Sequence, residues 1–204
     1  MRVLWMLGIV VCWLGVTGCV GVPVDRVSNQ AQEQAPQAGP ETAWSARGRL
    51  TLHLPGRVMS LTTFLRYSDG GELRVAMMDD SGLVVTDLSY GETGAVIHHC
   101  KDEMVALIPV FEALFLGSYA PAGDTNLEWR SGRLRETAGK VHRWYGGDPL
   151  LLRYVSGHGW PVEVGDYRIA DGLLVAHQAW ADGAWGVELR LTLESVSVGT
   201  APPP

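Results

Sequence analysis

Short runs in which apolar and polar residues alternate are the feature that most constrains the fold of this chain. Leucines alternate with polar residues over 50–54 and again over 189–193. A period of two is typical of a strand with one buried face and one solvated face. Turn sequences such as Ser68-Asp69-Gly70-Gly71 and Asp171-Gly172 separate the runs. The pattern therefore predicts an antiparallel sheet whose sequence neighbours are also spatial neighbours.

The predicted strands fall into two groups, one on each side of residue 101. The first group covers residues 49–54, 58–67, 73–78, 83–90 and 95–99. The second group covers residues 125–136, 140–145, 150–156, 162–169, 173–180 and 185–196.

A different pattern between the two groups predicts a helix over residues 102–116. Large apolar residues recur there at helical spacing: Met104, Leu107, Ile108, Phe111, Leu114 and Phe115. Other faces of the segment are apolar too, so the helix is expected to be buried. Pro109 is expected to kink the helix or to begin its second half, and Gly117 to end it.

The N-terminus has the pattern of an export signal. Arg2 precedes an apolar run over 3–18 that is shorter than the roughly 20 residues of a membrane-spanning helix. Val16-Thr17-Gly18-Cys19 resembles the lipobox of bacterial lipoproteins. That resemblance implies that Cys19 is acylated and becomes the first mature residue. The alternatives are a plain secreted protein or a single signal anchor, with Cys19 incidental.

Composition extends this interpretation to the whole chain. Residues 1–18 are predicted to be a signal peptide, and residues 19–42, rich in Gln and Ala, a lipidated cysteine with a flexible tether. A β domain is predicted over 43–198, followed by a disordered tail over 199–204 that ends in three prolines. Cys100 then has no intrachain disulfide partner and is expected to be a small buried residue.

Charge narrows the range of partners. The net charge is −6 without a cluster of Lys or Arg, which argues against nucleic acid and against electrostatic docking on anionic membranes. Membrane attachment is therefore expected through acyl groups on Cys19. Val20 stands where an aspartate would mark inner-membrane retention in enteric bacteria. We expect a lipid anchor in the outer membrane and a domain that faces the periplasm.

No sequence motif points to catalysis. The chain has no Gly-x-Ser-x-Gly elbow, phosphate loop or dinucleotide fingerprint. His98-His99-Cys100 offers metal-binding side chains, but adjacent histidines of a strand point to opposite faces, so one buried and one exposed histidine is expected. Asp79-Asp80 is interpreted as turn chemistry. The sequence thus predicts a protein that is not an enzyme, with no catalytic residues, metal or cofactor.

The order of features resembles the LolA/LolB group of bacterial outer-membrane lipoproteins and carriers. The features are the lipobox, the tether, Gly48-Arg49-Leu50-Thr51-Leu52, the strand meander, the helical sequence 109–117 and the C-terminal strands. The resemblance implies a mainly β (α+β) fold, an incomplete antiparallel β-barrel wrapped around one or two short helices. It also implies an apolar cavity that accepts the acyl chain of a lipid or lipoprotein.

The resemblance also supplies the functional expectations and one departure. LolB has a projecting loop with an exposed apolar residue, whereas here Asp79 and Asp80 occupy the corresponding stretch, which disfavours membrane insertion. The expected role is binding of an acylated or apolar ligand in lipoprotein or lipid trafficking. The alternative is an accessory interaction lipoprotein of an envelope complex, without a ligand cavity. Candidate cavity residues are Leu61, Leu65, Val75, Met77, Leu107 and Phe111.

Overall fold

The computed structural model describes residues 42–91, 94–120, 126–147, 150–157, 159–183 and 186–199. The predicted signal peptide, Cys19, residues 20–41 of the tether and residues 200–204 of the tail lie outside this part. Within it, no helix combines the length and apolar character needed to cross a membrane.

Strands dominate the described part of the chain, and a helical segment lies between two groups of them. The first half-sheet consists of β1 (Trp44–Leu54), β2 (Arg57–Tyr67), β3 (Leu73–Met78), β4 (Val84–Gly91) and β5 (Gly94–Cys100). The helical segment contains α1 (Asp102–Val105), α2 (Ile108–Phe111), a π-helical turn (Glu112–Leu116) and α3 (Gly117–Tyr119). The second half-sheet consists of β6 (Asn126–Arg130), β7 (Arg133–Ala138), β8 (Val141–Gly146), β9 (Leu151–Gly157), β10 (Trp160–Ala170), β11 (Leu173–Asp182) and β12 (Glu188–Val198).

All strands belong to one antiparallel sheet, in the order β5-β4-β3-β2-β1-β12-β11-β10-β9-β8-β7-β6. Each half is a meander, and the pairing of β1 with β12 joins them at the centre. This pairing contains a bulge at Gly48, where a Cβ would lie 2.5 Å from the carbonyl oxygen of Thr192. The outer strands β5 and β6 do not pair with each other, so the sheet stays open. The predicted incomplete antiparallel barrel is confirmed.

Residues 108–119, the inner helix, pack against strands β8 to β11 of the second half-sheet. Phe111 and Phe115 are fully buried, with ring centroids 6.1 Å apart. The buried side chains of the strands form one cluster with those of the helix. We call the strand face that carries them the inner face of the sheet.

Two predictions about local structure are wrong. The strand predicted over 125–136 is the β6–β7 hairpin, because Ser131 and Gly132 form a turn with φ of 53° and 72°. Serine seldom adopts positive φ, which is why the sequence carried no strong turn signal there. Gly117 does not end the helix: its φ of −62° is helical, and the segment continues to Tyr119. Pro109, as predicted, begins the second helical piece.

Candidate functional site

The six candidate cavity residues all lie in the core. Val75, Met77 and Phe111 are 0% exposed, and Leu107, the most accessible of the six, is 8% exposed. Register places Leu65 opposite Val75 across β2 and β3, so their side chains share the inner face. These six side chains are thus packed against other residues of the protein and have little contact with solvent.

Several polar atoms on the interior of the first half-sheet have no hydrogen-bond partner among the described residues. They are Trp44 Nε1, Thr63 Oγ1, Thr86 Oγ1 and Tyr90 OH, together with Tyr119 OH at the end of the inner helix. The rings of Trp44 and Tyr119 lie 6.2 Å apart. Burial raises the pKa of Tyr90 and Tyr119, so both hydroxyls stay protonated donors. Each unsatisfied group costs about 1–3 kcal/mol.

A buried arginine attaches the inner helix to the second half-sheet. Arg143 on β8 donates hydrogen bonds to the carbonyl oxygens of Gly117 at 2.7 Å, Leu116 at 2.9 Å and Ala120 at 3.1 Å. Carbonyl oxygens at the end of a helix lack intrahelical partners, and Arg143 supplies donors to them. Arg143 also lies 3.5 Å from the Glu136 carboxylate.

The same carboxylate ties a tyrosine into the network. Tyr145 OH donates to Glu136 Oε2 at 2.6 Å. Burial, followed by the nearby charge of Glu136, raises the pKa of Tyr145, so the hydroxyl keeps its proton and acts as donor. This buried Arg143–Glu136–Tyr145 network is polar, yet its side chains occupy inner-face positions.

Exposed ion pairs hold the other end of the helical segment to the first half-sheet. Arg57 on β2 lies 2.9 Å from Glu103 on α1, and Lys101 lies 3.3 Å from Asp79 in the β3–β4 turn. The hydroxyl and backbone N–H of Ser81 and the backbone N–H of Leu83 donate to Asp79 Oδ1. Mainly through Ser81, these bonds lower the pKa of Asp79 to about 2. The predicted turn role of Asp79 is confirmed.

Exposed apolar side chains accompany these ion pairs. Val58 is 64% exposed, Leu83 61% and Val105 50%. Val58 follows Arg57, Val105 lies two residues after Glu103, and Leu83 closes the turn that begins at Asp79. We call these three residues the apolar rim.

The His98-His99-Cys100 sequence lies on the last residues of β5. Both histidines are exposed on the edge strand β5, so the expectation of one buried histidine is wrong. Ser89 Oγ lies 3.0 Å from His98 Nε2. Burial raises the pKa of the partly buried Cys100 thiol. In the described part of the chain, no three His, Cys, Asp or Glu side chains converge as metal ligands would.

The outward face of the second half-sheet carries a groove that the sequence analysis did not predict. Its volume is about 530 Å³, and it opens to solvent. The lining residues of this outer groove are Arg130, Ser131, Arg133, Trp144, Tyr154 and Ser156. The alternation of buried and exposed residues along β8 and β9 could have predicted that Trp144 and Tyr154 point outward. It could not have predicted that they lie beside the β6–β7 turn, because the sequence pattern did not indicate that turn.

Comparisons with known proteins concern the fold of the chain. No protein-family model and no curated protein sequence matches the chain. Two solved structures each align at a TM-score of 0.47 and 10% identity, covering 85% of this chain and 91% of theirs. They are a DUF1329 family protein from Desulfovibrio piger and a domain described as an outer membrane lipoprotein-sorting protein from Vibrio parahaemolyticus.

A LolA superfamily protein from Nitrosomonas europaea, NE2245, aligns at a TM-score of 0.53 with 11% identity. The alignment covers 87% of this chain and 96% of that protein. At this identity the likeness concerns the fold alone. The chain therefore has a LolA/LolB-like fold, an open antiparallel sheet wrapped around a short helical segment.

Proposed function

We propose that this protein is a non-enzymatic envelope lipoprotein that reversibly binds an acylated or apolar ligand at the outer membrane. Acyl groups on Cys19 anchor it, and residues 43–198 form the binding domain in the periplasm. The observation that carries the proposal is the inner helix, packed on the apolar inner face of a sheet whose outer strands remain unpaired. Apolar surface on both layers suits an acyl chain, which offers little to hydrogen-bond.

The proposed binding space lies between the helical segment and the first half-sheet. Buried hydrogen bonds from Arg143 hold the helix to the second half-sheet, whereas the exposed pair Arg57–Glu103 joins α1 to β2. Exposed ion pairs contribute only about 0–1 kcal/mol each. Separation on the side of β2 and β3 is therefore the less costly movement, and it uncovers Leu61, Leu65, Val75 and Met77.

Two further features support a ligand with an apolar chain and a polar end. The apolar rim of Val58, Leu83 and Val105 is exposed, and Val58 and Val105 lie next to or near the Arg57–Glu103 pair in sequence, where separation would begin. Inside, Trp44, Tyr90 and Tyr119 carry buried donors that find no acceptor in the part of the chain that the structure describes. The carbonyl oxygens of an acyl ester would accept hydrogen bonds from such donors and relieve part of their desolvation cost.

A second candidate function is an accessory interaction lipoprotein without a ligand cavity. The burial of the candidate cavity residues favours it, because Val75, Met77 and Phe111 have no exposed surface. In that case the helical segment is a permanent part of the core, and partner contacts lie on the outer surface.

Ligand uptake by the full chain carrying Cys19→Ser, which removes acylation, tests the two candidates. A carrier is expected to take up a fluorescent fatty acid and to retain lipid in native mass spectrometry. A protein that binds no probe and has the mass of the chain alone would overturn the carrier proposal and leave the interaction module.

A further substitution tests where the helical segment separates from the first half-sheet. Glu103→Gln removes the α1–β2 ion pair, so we expect faster probe uptake with an unchanged endpoint. Asp166→Asn is the matched control, since Asp166 forms an exposed ion pair with Arg168 at 2.6 Å on β10 of the second half-sheet. Equal uptake rates in both variants would show that separation does not begin at α1.

The anchor requires a separate measurement. Cys19→Ser in cells is expected to release the chain into the soluble periplasm or to stall it as an uncleaved precursor. Fractionation of cells that express the wild type or the variant measures how much of the chain is bound to membranes. A variant that is cleaved and membrane-bound like the wild type would contradict the lipoprotein assignment. Ligand binding by the domain is tested separately, by the uptake experiment.

A further inference from the structure

We infer that the outer groove binds a phosphorylated sugar. The groove lies on the outward face of the sheet, where no residue of the proposed acyl site is placed, so it would be a second and independent site. Its volume of about 530 Å³ falls within the range of small-molecule sites, roughly 300–1,000 Å³.

The cationic end of the groove is set by the β6–β7 hairpin. Arg130 and Arg133 flank the Ser131-Gly132 turn and lie directly opposite each other in the register. Like charges directly opposite across two strands destabilise a sheet. Among the described residues, neither arginine has an ion-pair or hydrogen-bond partner. Two adjacent guanidinium groups without a carboxylate partner among the described residues attract an anion, and a bound anion would offset their repulsion.

A similar arginine pair elsewhere in the sheet has a carboxylate that compensates its charge. Arg66 on β2 lies opposite Arg74 on β3. There, Arg74 donates two hydrogen bonds to Asp87, at 3.0 Å and 2.8 Å. The protein thus supplies a carboxylate to one cross-strand arginine pair, and the described residues supply none to Arg130 and Arg133.

Phosphate fits the cationic end better than a carboxylate does. Two planar guanidinium groups offer paired N–H donors, and each can bind two oxygens at once. A phosphate monoester presents three terminal oxygens and a charge of about −1.5 to −2, which matches two arginines. A carboxylate has two oxygens and one charge, so it satisfies only one of them.

The remainder of the groove suits a sugar ring. Trp144 and Tyr154 lie directly opposite each other on β8 and β9 and line the groove beside the arginines. Aromatic rings bind the apolar C–H face of a sugar while their polar edges stay wet. Ser131 and Ser156 also line the groove and can bond to sugar hydroxyls.

The aromatic platform is held in place by side chains that are already paired. Arg135 lies over the Trp144 ring, 5.2 Å from its centroid. The same guanidinium lies 2.9 Å from Glu128 and 3.1 Å from His142 Nδ1. Arg135 is therefore a positioning residue for Trp144, and the anion falls to Arg130 and Arg133.

Calorimetric titration of the full-length lipoprotein in a neutral detergent tests the inference. Glucose 1-phosphate is the probe, with glucose and inorganic phosphate as partial ligands and lipid A in mixed micelles as a membrane-held sugar phosphate. We expect glucose 1-phosphate to bind at least tenfold more tightly than either partial ligand. Binding of lipid A but not of free glucose 1-phosphate would assign the site to a lipid headgroup.

The variants are Arg130→Gln and Arg133→Gln, which also remove the charge repulsion and so are expected to fold. Each should weaken binding about tenfold, as expected for a lost charge-assisted hydrogen bond. Arg66→Gln, the same substitution at an exposed arginine of β2, is the control and should leave affinity unchanged. Trp144→Leu should weaken glucose 1-phosphate but not inorganic phosphate, with thermal unfolding as the check on its fold.

Two results would overturn the inference. If neither glucose 1-phosphate nor lipid A binds, or if Arg130→Gln binds them like the wild type, the groove is not this site. If inorganic phosphate binds as tightly as glucose 1-phosphate, the arginines hold an anion without a sugar on Trp144.

Discussion

The two half-sheets hold the same helical segment by opposite physical means. The second half-sheet binds it through a buried guanidinium, Arg143, which reaches three backbone carbonyls. The first half-sheet binds it through apolar contact and exposed ion pairs such as Arg57–Glu103. Interior polar groups do not follow this division. Among the described residues, buried side-chain atoms without a hydrogen-bond partner occur in both halves, such as Trp44 Nε1 and Tyr90 OH in the first half-sheet and His177 Nε2 in the second.

This difference is the basis of the proposed opening. Breaking a buried charged network costs several kcal/mol, whereas exposed pairs contribute about 0–1 kcal/mol each. In that proposal the second half-sheet and the inner helix stay together, and the first half-sheet separates from them.

Arg143→Met should give the largest loss of stability. It removes three hydrogen bonds to the inner helix and leaves Glu136 buried without its cation, so we expect the free energy of unfolding to fall by about 3–5 kcal/mol. Arg57→Met, on the first half-sheet, should lose about 1 kcal/mol or less. Urea denaturation measures both, and equal losses would contradict the asymmetry.

Tyr145→Phe and Tyr90→Phe form a matched pair, each removing one buried hydroxyl. The Tyr145 hydroxyl donates to a carboxylate, so its loss should cost about 1.5–3 kcal/mol. The Tyr90 hydroxyl has no partner among the described residues, so its loss should be neutral or slightly stabilising. Thermal unfolding of the two variants gives the comparison, and a larger loss for Tyr90→Phe would reverse it.

Gly117→Ala tests how closely the inner helix approaches β9. A Cβ at Gly117 would lie 2.5 Å from Val155 Cγ1, so overpacking should cost about 1–3 kcal/mol even though alanine is the better helix former. Adding Val155→Ala should recover part of that loss. Gly91→Ala, with no atom near its Cβ, is the control. No coupling between the two substitutions would mean that this contact is loose.

Asp79→Asn should give the smallest effect, and a pH-dependent one. Since hydrogen bonds lower the folded-state pKa of Asp79 from 3.8 to about 2, its carboxylate contributes stability above about pH 4. That contribution is lost as the pH falls from about 4 toward 2. The melting temperatures of wild type and variant should therefore differ at pH 7 and converge near pH 2. Asp80→Asn, in the same turn, controls for the loss of one negative charge.

The sequence predicts the buried apolar residues of the core better than the buried charged ones. The six apolar cavity candidates lie on predicted strands and on the predicted helix, and all of them are buried. Arg143 and Glu136 also lie on the inner face, in phase with Val141 and Leu134. Their positions among the buried residues of the alternating pattern were the sequence signal that the two side chains point inward. Alternation alone, however, cannot say that a charged residue in the buried phase has found a partner.

By itself, the sequence determined the helical segment, the strands other than the β6–β7 hairpin, and their order, because side-chain period and turn residues are local properties. Only the tertiary structure decided the pairing of β1 with β12, the open edges at β5 and β6, and the attachment of the helix through Arg143. It also decided the outer groove, since Arg130 and Trp144 meet across three strands. Each of these depends on contacts between residues distant in the chain, which no local pattern encodes.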